Sequence, residues 1–450
     1  MRAPTINASD RCQSARSHAF DRCGYHPLFT SRCHPMSFDI AAVRARFPSM
    51  TLTDEGRPRV YFDNPAGTQV PQTVVDAISD CLIRTNANLG GFFSTTRLAG
   101  AVVDAAHEAM RDFLNARDTG EIVFGQNATS LNFSISRSLG RDFAAGDEII
   151  VSRMDHDANV SPWLMMAADR GLTVRWWDWN AETFEFELPA LDALVNSRTR
   201  LIAVTHASNV IGSITDIAAV SALAHRVGAL VYVDAVQTAP HIPIDVQALG
   251  CDFLVCSAYK FYGPHQGILW GKREHLERLV AYRVRPAGDE LPHKFETGTL
   301  SRECMAGTTA AVEHFAWLGR TMGDPAGPGR RKAIEAGYCA LKGHEDALVR
   351  RLLAGLATLP DVRVLGIADE ARLARRVPTV SFIRESASPE SIARALAAQN
   401  IFVWSGNNYA VEAYRKLGRE HEGGVRVGFA QYNTAGEVDR LLELLHTNTP

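Results

Sequence analysis

Lysine is nearly missing from this chain. Six lysines stand against 41 arginines in 450 residues, and none occurs before position 260. Cysteine is sparse as well: eight residues (12, 23, 33, 81, 251, 256, 304 and 339), with no CxxC pair among them. That spacing argues against a disulfide framework or a zinc site and makes a reducing cytoplasm the expectation. No apolar run is long enough to span a bilayer. The net charge is −3 and hydrophobic residues make up 46%. This is an ordinary globular composition with no electrostatic reason for a nucleic-acid or membrane partner. Nucleotide and metal signatures are absent too. No GxGxxG follows a first strand, GILWGKR (267–273) has the wrong glycine spacing for a phosphate loop, and no HExxH occurs.

What is present is organised. Residues 1–35 hold five arginines, three cysteines and three histidines but no signal-peptide core, and they read as a disordered or spurious extension. From about residue 120, short apolar runs (121–125, 148–152, 173–179, 201–208, 230–236, 253–257 and 268–271) alternate with helical stretches such as 131–139, 162–170 and 217–227. Such alternation predicts an α/β fold with a mainly parallel seven-stranded sheet covered on both faces. The Gly/Pro-rich GDPAGPGRR (323–331) marks a joint. The expectation is a large domain over 36–325 and a smaller α+β domain over 326–450. Within the latter, strands are expected at 362–365, 378–383, 401–405 and 425–429.

In sheets of this kind, ligands bind beyond the carboxyl ends of the strands. Those ends are polar here: Asp155, His156, Asp157 and Asn159; His206, Ser208 and Asn209; Asp234 and Gln237; Ser257, Tyr259 and Lys260. Singly, each has a structural explanation as a cap, a turn residue or a core histidine. Together with an amine they fit pyridoxal 5'-phosphate. An amine forms an imine with an aldehyde and a guanidinium does not, so a chain that otherwise writes arginine needs lysine at 260. Asp234 can hold a pyridine nitrogen protonated, an imidazole can stack on the ring, and an amide can meet its phenolic oxygen. FGQNATSLNF (124–133) opens a helix with Thr129 and Ser130 at its mouth, a place for phosphate, and Ser257 adds a hydroxyl.

The stretches VYFDNPAGTQVP, MDHDANVSPW, HASNVIGSITDI, VDAVQTAPHIPIDV, DFLVCSAYKFYGP, FETGT and VRVGFAQYNTAGEVDRLL carry a resemblance. The chain resembles class V of the pyridoxal-phosphate aminotransferase fold (fold type I), in its cysteine desulfurase and selenocysteine lyase branch. The resemblance implies Lys260 as the Schiff-base lysine, Asp234 as the partner of the ring nitrogen and His156 stacked on the ring. It implies Asn209 and Gln237 near the ring oxygen, and Ala128, Thr129 and Ser257 on the phosphate. Arg426 would bind the substrate carboxylate, and Thr299 would reach the phosphate of a partner subunit, which implies a homodimer.

Two departures stand out. Tyr259 precedes the lysine where desulfurases usually carry histidine. In WSGNNYA (404–410), Tyr409 occupies the position of the sulfur-accepting cysteine and Trp404 that of an arginine, as in a subgroup lacking the catalytic cysteine. A tyrosine carries no persulfide. The expected function is therefore a pyridoxal-phosphate enzyme acting on an amino acid, as a C–S or C–Se lyase or other β-eliminating enzyme without a protein persulfide. An aminotransferase or epimerase of class V is one alternative; a non-catalytic scaffold with a vestigial cofactor site is the other.

Overall fold

The expected strands assemble into one sheet: β1 (Ile122–Gly125), β2 (Glu148–Ser152), β3 (Thr173–Trp177), β4 (Thr199–Thr205), β5 (Leu230–Asp234), β6 (Phe253–Ser257) and β7 (Gly267–Gly271). The computed structural model describes residues 38–447. The segment 1–35 with its three cysteines lies outside the described residues. Spatial order is β1-β7-β6-β5-β4-β2-β3, and β7 alone runs antiparallel to its neighbours β6 and β1. Every residue of β2, β6 and β7 is buried, as expected of strands covered on both faces.

Helices α1 (Gln72–Arg84), α2 (Ser94–Leu114), α3 (Ala128–Gly140), α4 (Ser161–Arg170) and α5 (Ile217–His225) belong to this body. So does α6 (Arg302–Met322), which packs against α1, α2 and the long α7 (Arg330–Leu356). The contact between α6 and α7 requires glycine. A Cβ on Gly319 would lie 1.7 Å from the Ala333 carbonyl oxygen, so any side chain there would force the helices apart.

A second sheet has the order β8-β9-β11-β10, all antiparallel, from β8 (Val362–Leu365), β9 (Thr379–Arg384), β10 (Trp404–Gly406) and β11 (Gly424–Gly428). Its core of Val380, Phe382, Val425 and Val427 packs on Leu352, Leu353 and Leu356 of α7 and on Leu441. The single strand expected over 401–405 is two elements. Ile401–Phe402 pairs in parallel with Val60–Tyr61, while Trp404–Gly406 pairs with β11. One apolar run thus serves two partners, which its periodicity does not reveal. Past Tyr61, Asp63 bridges to Gly428 and carries the N-terminal segment between the two sheets. Among the described residues no helix is long and apolar enough to cross a membrane.

Candidate active site

The carboxyl ends of the strands face a cavity of about 500 Å³, within the range of small-molecule sites. Its floor forms where β4, β5 and β6 end together. Asp234, the last residue of β5, stands in register with Thr205 of β4 and Val255 of β6. The strand stops there because the Asp234 carboxylate accepts from Val236 N at 2.8 Å and turns the chain. Burial raises the Asp234 carboxyl to about 6, so it is charged at neutral pH.

Lys260 ends a short 3₁₀ turn (Ala258–Lys260) that follows β6 directly. It is only 8% exposed. Its Nζ donates to the carbonyl oxygens of Pro65 at 2.5 Å and Ala66 at 3.0 Å. Gln237 Nε2 shares the Pro65 carbonyl at 2.8 Å. Burial, reinforced by the positive charge of Arg426, lowers the Lys260 ammonium to about 7, with Asp234 and Asp63 opposing. A substantial share of this amine is neutral at physiological pH, the form that acts as a nucleophile or base.

His156 lines one wall. Its Nδ1 accepts from Ala158 N at 3.1 Å. Burial first, then the charges of Lys260 and Arg426, lower it to about 3, so the ring is neutral. Asn127 caps α3 with a reciprocal box: its Oδ1 accepts from Ser130 N at 2.8 Å and its N donates to Ser130 Oγ at 3.3 Å. This points the helix N-terminus, with Ala128 and Thr129, into the cavity. Gly267 lets β7 pass beneath that cap, since a Cβ there would lie 2.4 Å from the Asn127 carbonyl carbon.

Arg426 enters from the second sheet. Its Nη1 donates to the Asn209 carbonyl at 3.0 Å, while its buried Nε has no partner. Burial lowers its guanidinium to about 10, and it stays charged. Asn209 Oδ1 is likewise buried without a partner, while its Nδ2 donates to the Asn408 carbonyl at 2.8 Å. Unpartnered buried polar atoms around a cavity mark places for a ligand.

Of the sequence-predicted residues, Ala128, Thr129, His156, Asn209, Asp234, Gln237, Ser257, Lys260 and Arg426 all line this one cavity. Thr299 does not. It is exposed in the 298–299 bend. Of the other polar strand-end residues, Asp155 lies behind the wall, accepting from Asn159 Nδ2 at 2.7 Å and Thr205 N at 2.9 Å. Ser208 serves its own turn, its Oγ accepting from Ile211 N at 3.2 Å.

Pro65 and Ala66, which hold the lysine, are the residues that strand-end logic misses, together with Asn127 and His421. The Asp-Asn-Pro-Ala-Gly run is a legible turn signal, but its contact with residue 260 is tertiary.

A family model described as Aminotransferase class-V matches residues 60–323 and 332–441, and the chain belongs to that family. It is 34% identical over 421 residues to the aminotransferase-like protein FGM3 of Gibberella zeae, covering 91% of this chain and 98% of that one. It is 32% identical over 422 residues to the cysteine desulfurase of Synechococcus elongatus, covering 90% of this chain but 63% of that protein. The crystal structure of the cysteine desulfurase CsdA from Escherichia coli matches with a TM-score of 0.77 at 29% identity, covering 91% of this chain and 98% of that one. These likenesses place the chain in the cysteine desulfurase-like branch of the fold-type I enzymes. It is a pyridoxal-phosphate-dependent enzyme acting on an amino acid.

Proposed function

We propose that this class V enzyme removes a substituent from the β-carbon of an amino acid, with Lys260 as the catalytic base, and that no persulfide forms on the protein. One observation carries this reading. The amine of Lys260, the carboxylate of Asp234 and the guanidinium of Arg426 face one cavity, and no cysteine is among its lining residues.

The side chains present fit the cofactor. A largely desolvated amine is available to its aldehyde, a carboxylate to its ring nitrogen, and a capped helix N-terminus with the Ser257 hydroxyl to its phosphate. When bound, pyridoxal phosphate supplies an imine to the substrate nitrogen and an electron sink for the Cα bond that breaks.

The chain's own residues supply the rest. Arg426 binds the α-carboxylate with the Nε that otherwise has no partner. The Pro65 and Ala66 carbonyls aim Lys260 Nζ, which takes the Cα proton in its neutral form. The neutral His156 ring, Asn209 and Gln237 fix the plane in which this occurs. Among the described residues the free cysteines are Cys81, Cys251 and Cys256, all buried, and the partly buried Cys304. None of them lines the cavity. Thr299 is exposed, and we extend the proposal to a homodimer in which it serves the phosphate of a second copy.

The test is product analysis with cysteine, cysteine sulfinate and selenocysteine. Release of the β-substituent in step with pyruvate and ammonia, the products of elimination after loss of the Cα proton, supports the lyase. Amino transfer to a 2-oxo acid with the β-substituent retained overturns it in favour of an aminotransferase, which needs only the same lysine and carboxylate clamp.

A further inference from the structure

Two large aromatic side chains stand exposed at the cavity mouth: Trp404 at 51% and Tyr409 at 70%. Both line the cavity. Trp404 is in register opposite Arg426 across the β10–β11 pair, so both side chains leave the same face of that sheet. Tyr409 stacks against His156, with ring centroids 5.3 Å apart and planes 26° from parallel. The two rings therefore rise above the carboxylate site and the ring site respectively.

The loop between them is held in place. Gly406, Asn408 and Tyr409 have φ of 98°, 50° and 59°, a left-handed conformation that asparagine tolerates but that is costly for a tyrosine. Asp157 N donates to the Tyr409 carbonyl at 2.8 Å. Asn209 Nδ2 donates to the Asn408 carbonyl at 2.8 Å, and Asn407 Nδ2 to the Glu420 carbonyl at 2.9 Å. Strain at Tyr409, in a loop secured by three hydrogen bonds to residues outside it, indicates a site that needs the rings where they are. Leaving apolar rings in water gains nothing unless a ligand covers them.

We infer that Trp404 and Tyr409 form an aromatic clamp for the substrate's β-substituent, and that the substrate is an α-amino acid bearing a bulky, flat-faced group on Cβ rather than a bare thiol. This rests on the reading of Lys260 and Arg426 given above, which fixes the amino-acid end of the substrate. With the carboxylate at Arg426, the side chain has its way out past these two rings. A flat group gains stacking on both, whereas a thiol reaches neither.

The experiment titrates cofactor-loaded protein with S-phenyl-L-cysteine and L-cysteine, following binding by calorimetry and by the visible spectrum. S-phenyl-L-cysteine is expected to bind about tenfold tighter, the order of effect of an aromatic contact. Trp404→Ala and Tyr409→Ala each abolish most of that preference, whereas Tyr409→Phe, which keeps the ring and loses the hydroxyl, retains it. Equal binding of the two ligands, or a preference that survives loss of both rings, overturns the clamp. Elimination without the preference removes the clamp and leaves the lyase reading intact. The preference without release of the β-substituent does the reverse, and binding of neither amino acid overturns both.

Discussion

Lys260 Nζ donates to the carbonyl of Pro65 at 2.5 Å, across 195 positions of sequence. That contact joins the strand-end lysine to the N-terminal segment that also bridges to β11 through Asp63 and Gly428. Arg426 lies two residues before that bridge. The base and the carboxylate site are thereby set relative to one another through a single tight turn.

Replacing Lys260 by alanine is expected to leave a folded protein that binds pyridoxal phosphate without a borohydride-reducible visible band. Lysine-to-arginine should behave the same way, because a guanidinium forms no imine. Absorbance and intact mass after reduction measure this. An unchanged reducible band in Lys260→Ala would put the imine on one of the other five lysines.

The depressed lysine makes cofactor-free stability depend on pH in a defined direction. Burial lowers Lys260 from 10.5 to about 7. Between those values the unfolded chain carries a proton there that the folded chain does not. Stability therefore rises with pH across this window, and the penalty is complete below pH 7. Lys260→Met removes the titration. Urea unfolding at pH 7 and pH 9 should show the wild type gaining roughly 2–3 kcal/mol relative to the methionine variant. A pH-independent difference would mean that the amine is not depressed.

Arg426→Lys keeps the charge and loses the fork. The bond to Asn209 and the unpartnered Nε point to a carboxylate held by two donors. Loss of one charged hydrogen bond is worth about 1.5–3 kcal/mol, so KM for the amino acid should rise roughly 10- to 100-fold with a smaller change in kcat. Steady-state kinetics decide it, with the cofactor spectrum as the control for loading. An unchanged KM removes Arg426 from substrate binding.

Gly267→Ala tests the phosphate end. Its Cβ would meet backbone atoms of Asn127, the nearest at 2.4 Å, so the α3 cap must shift, at a cost of about 1–3 kcal/mol. Affinity for pyridoxal phosphate should fall, while affinity for pyridoxal, which has no phosphate, changes little. Equal losses for both ligands would mean that the helix N-terminus does not hold the phosphate.

Much of the site was legible along the chain because polar residues immediately follow apolar strands. Asp234, Ser257 and Lys260 each end or directly follow a strand in the central sheet, which is why strand-end logic finds them. It does not find Pro65 and Ala66, which contribute carbonyl oxygens of the kind every residue has. Nor does periodicity reveal that 401–405 divides between two pairing partners. The helices α1, α2 and α6 lie outside the strand–helix alternation, and their place against the sheet follows from packing such as that at Gly319.

By itself the sequence determined the cofactor chemistry and the fold class. An amine cannot be exchanged for a guanidinium where an imine forms, and alternating apolar runs of strand and helix length leave few ways to bury both faces of a sheet. Tertiary structure decided the rest. It set the Lys260 amine near neutrality by burying it beside Arg426, and it brought residues 65, 156, 234, 260 and 426 to one cavity. It also placed Trp404 and Tyr409 at the mouth, on a loop whose Asn408 and Tyr409 carbonyls accept from the distant Asn209 Nδ2 and Asp157 N. Desolvation and long-range contact depend on which surfaces meet, and the order of residues along a chain does not specify that locally.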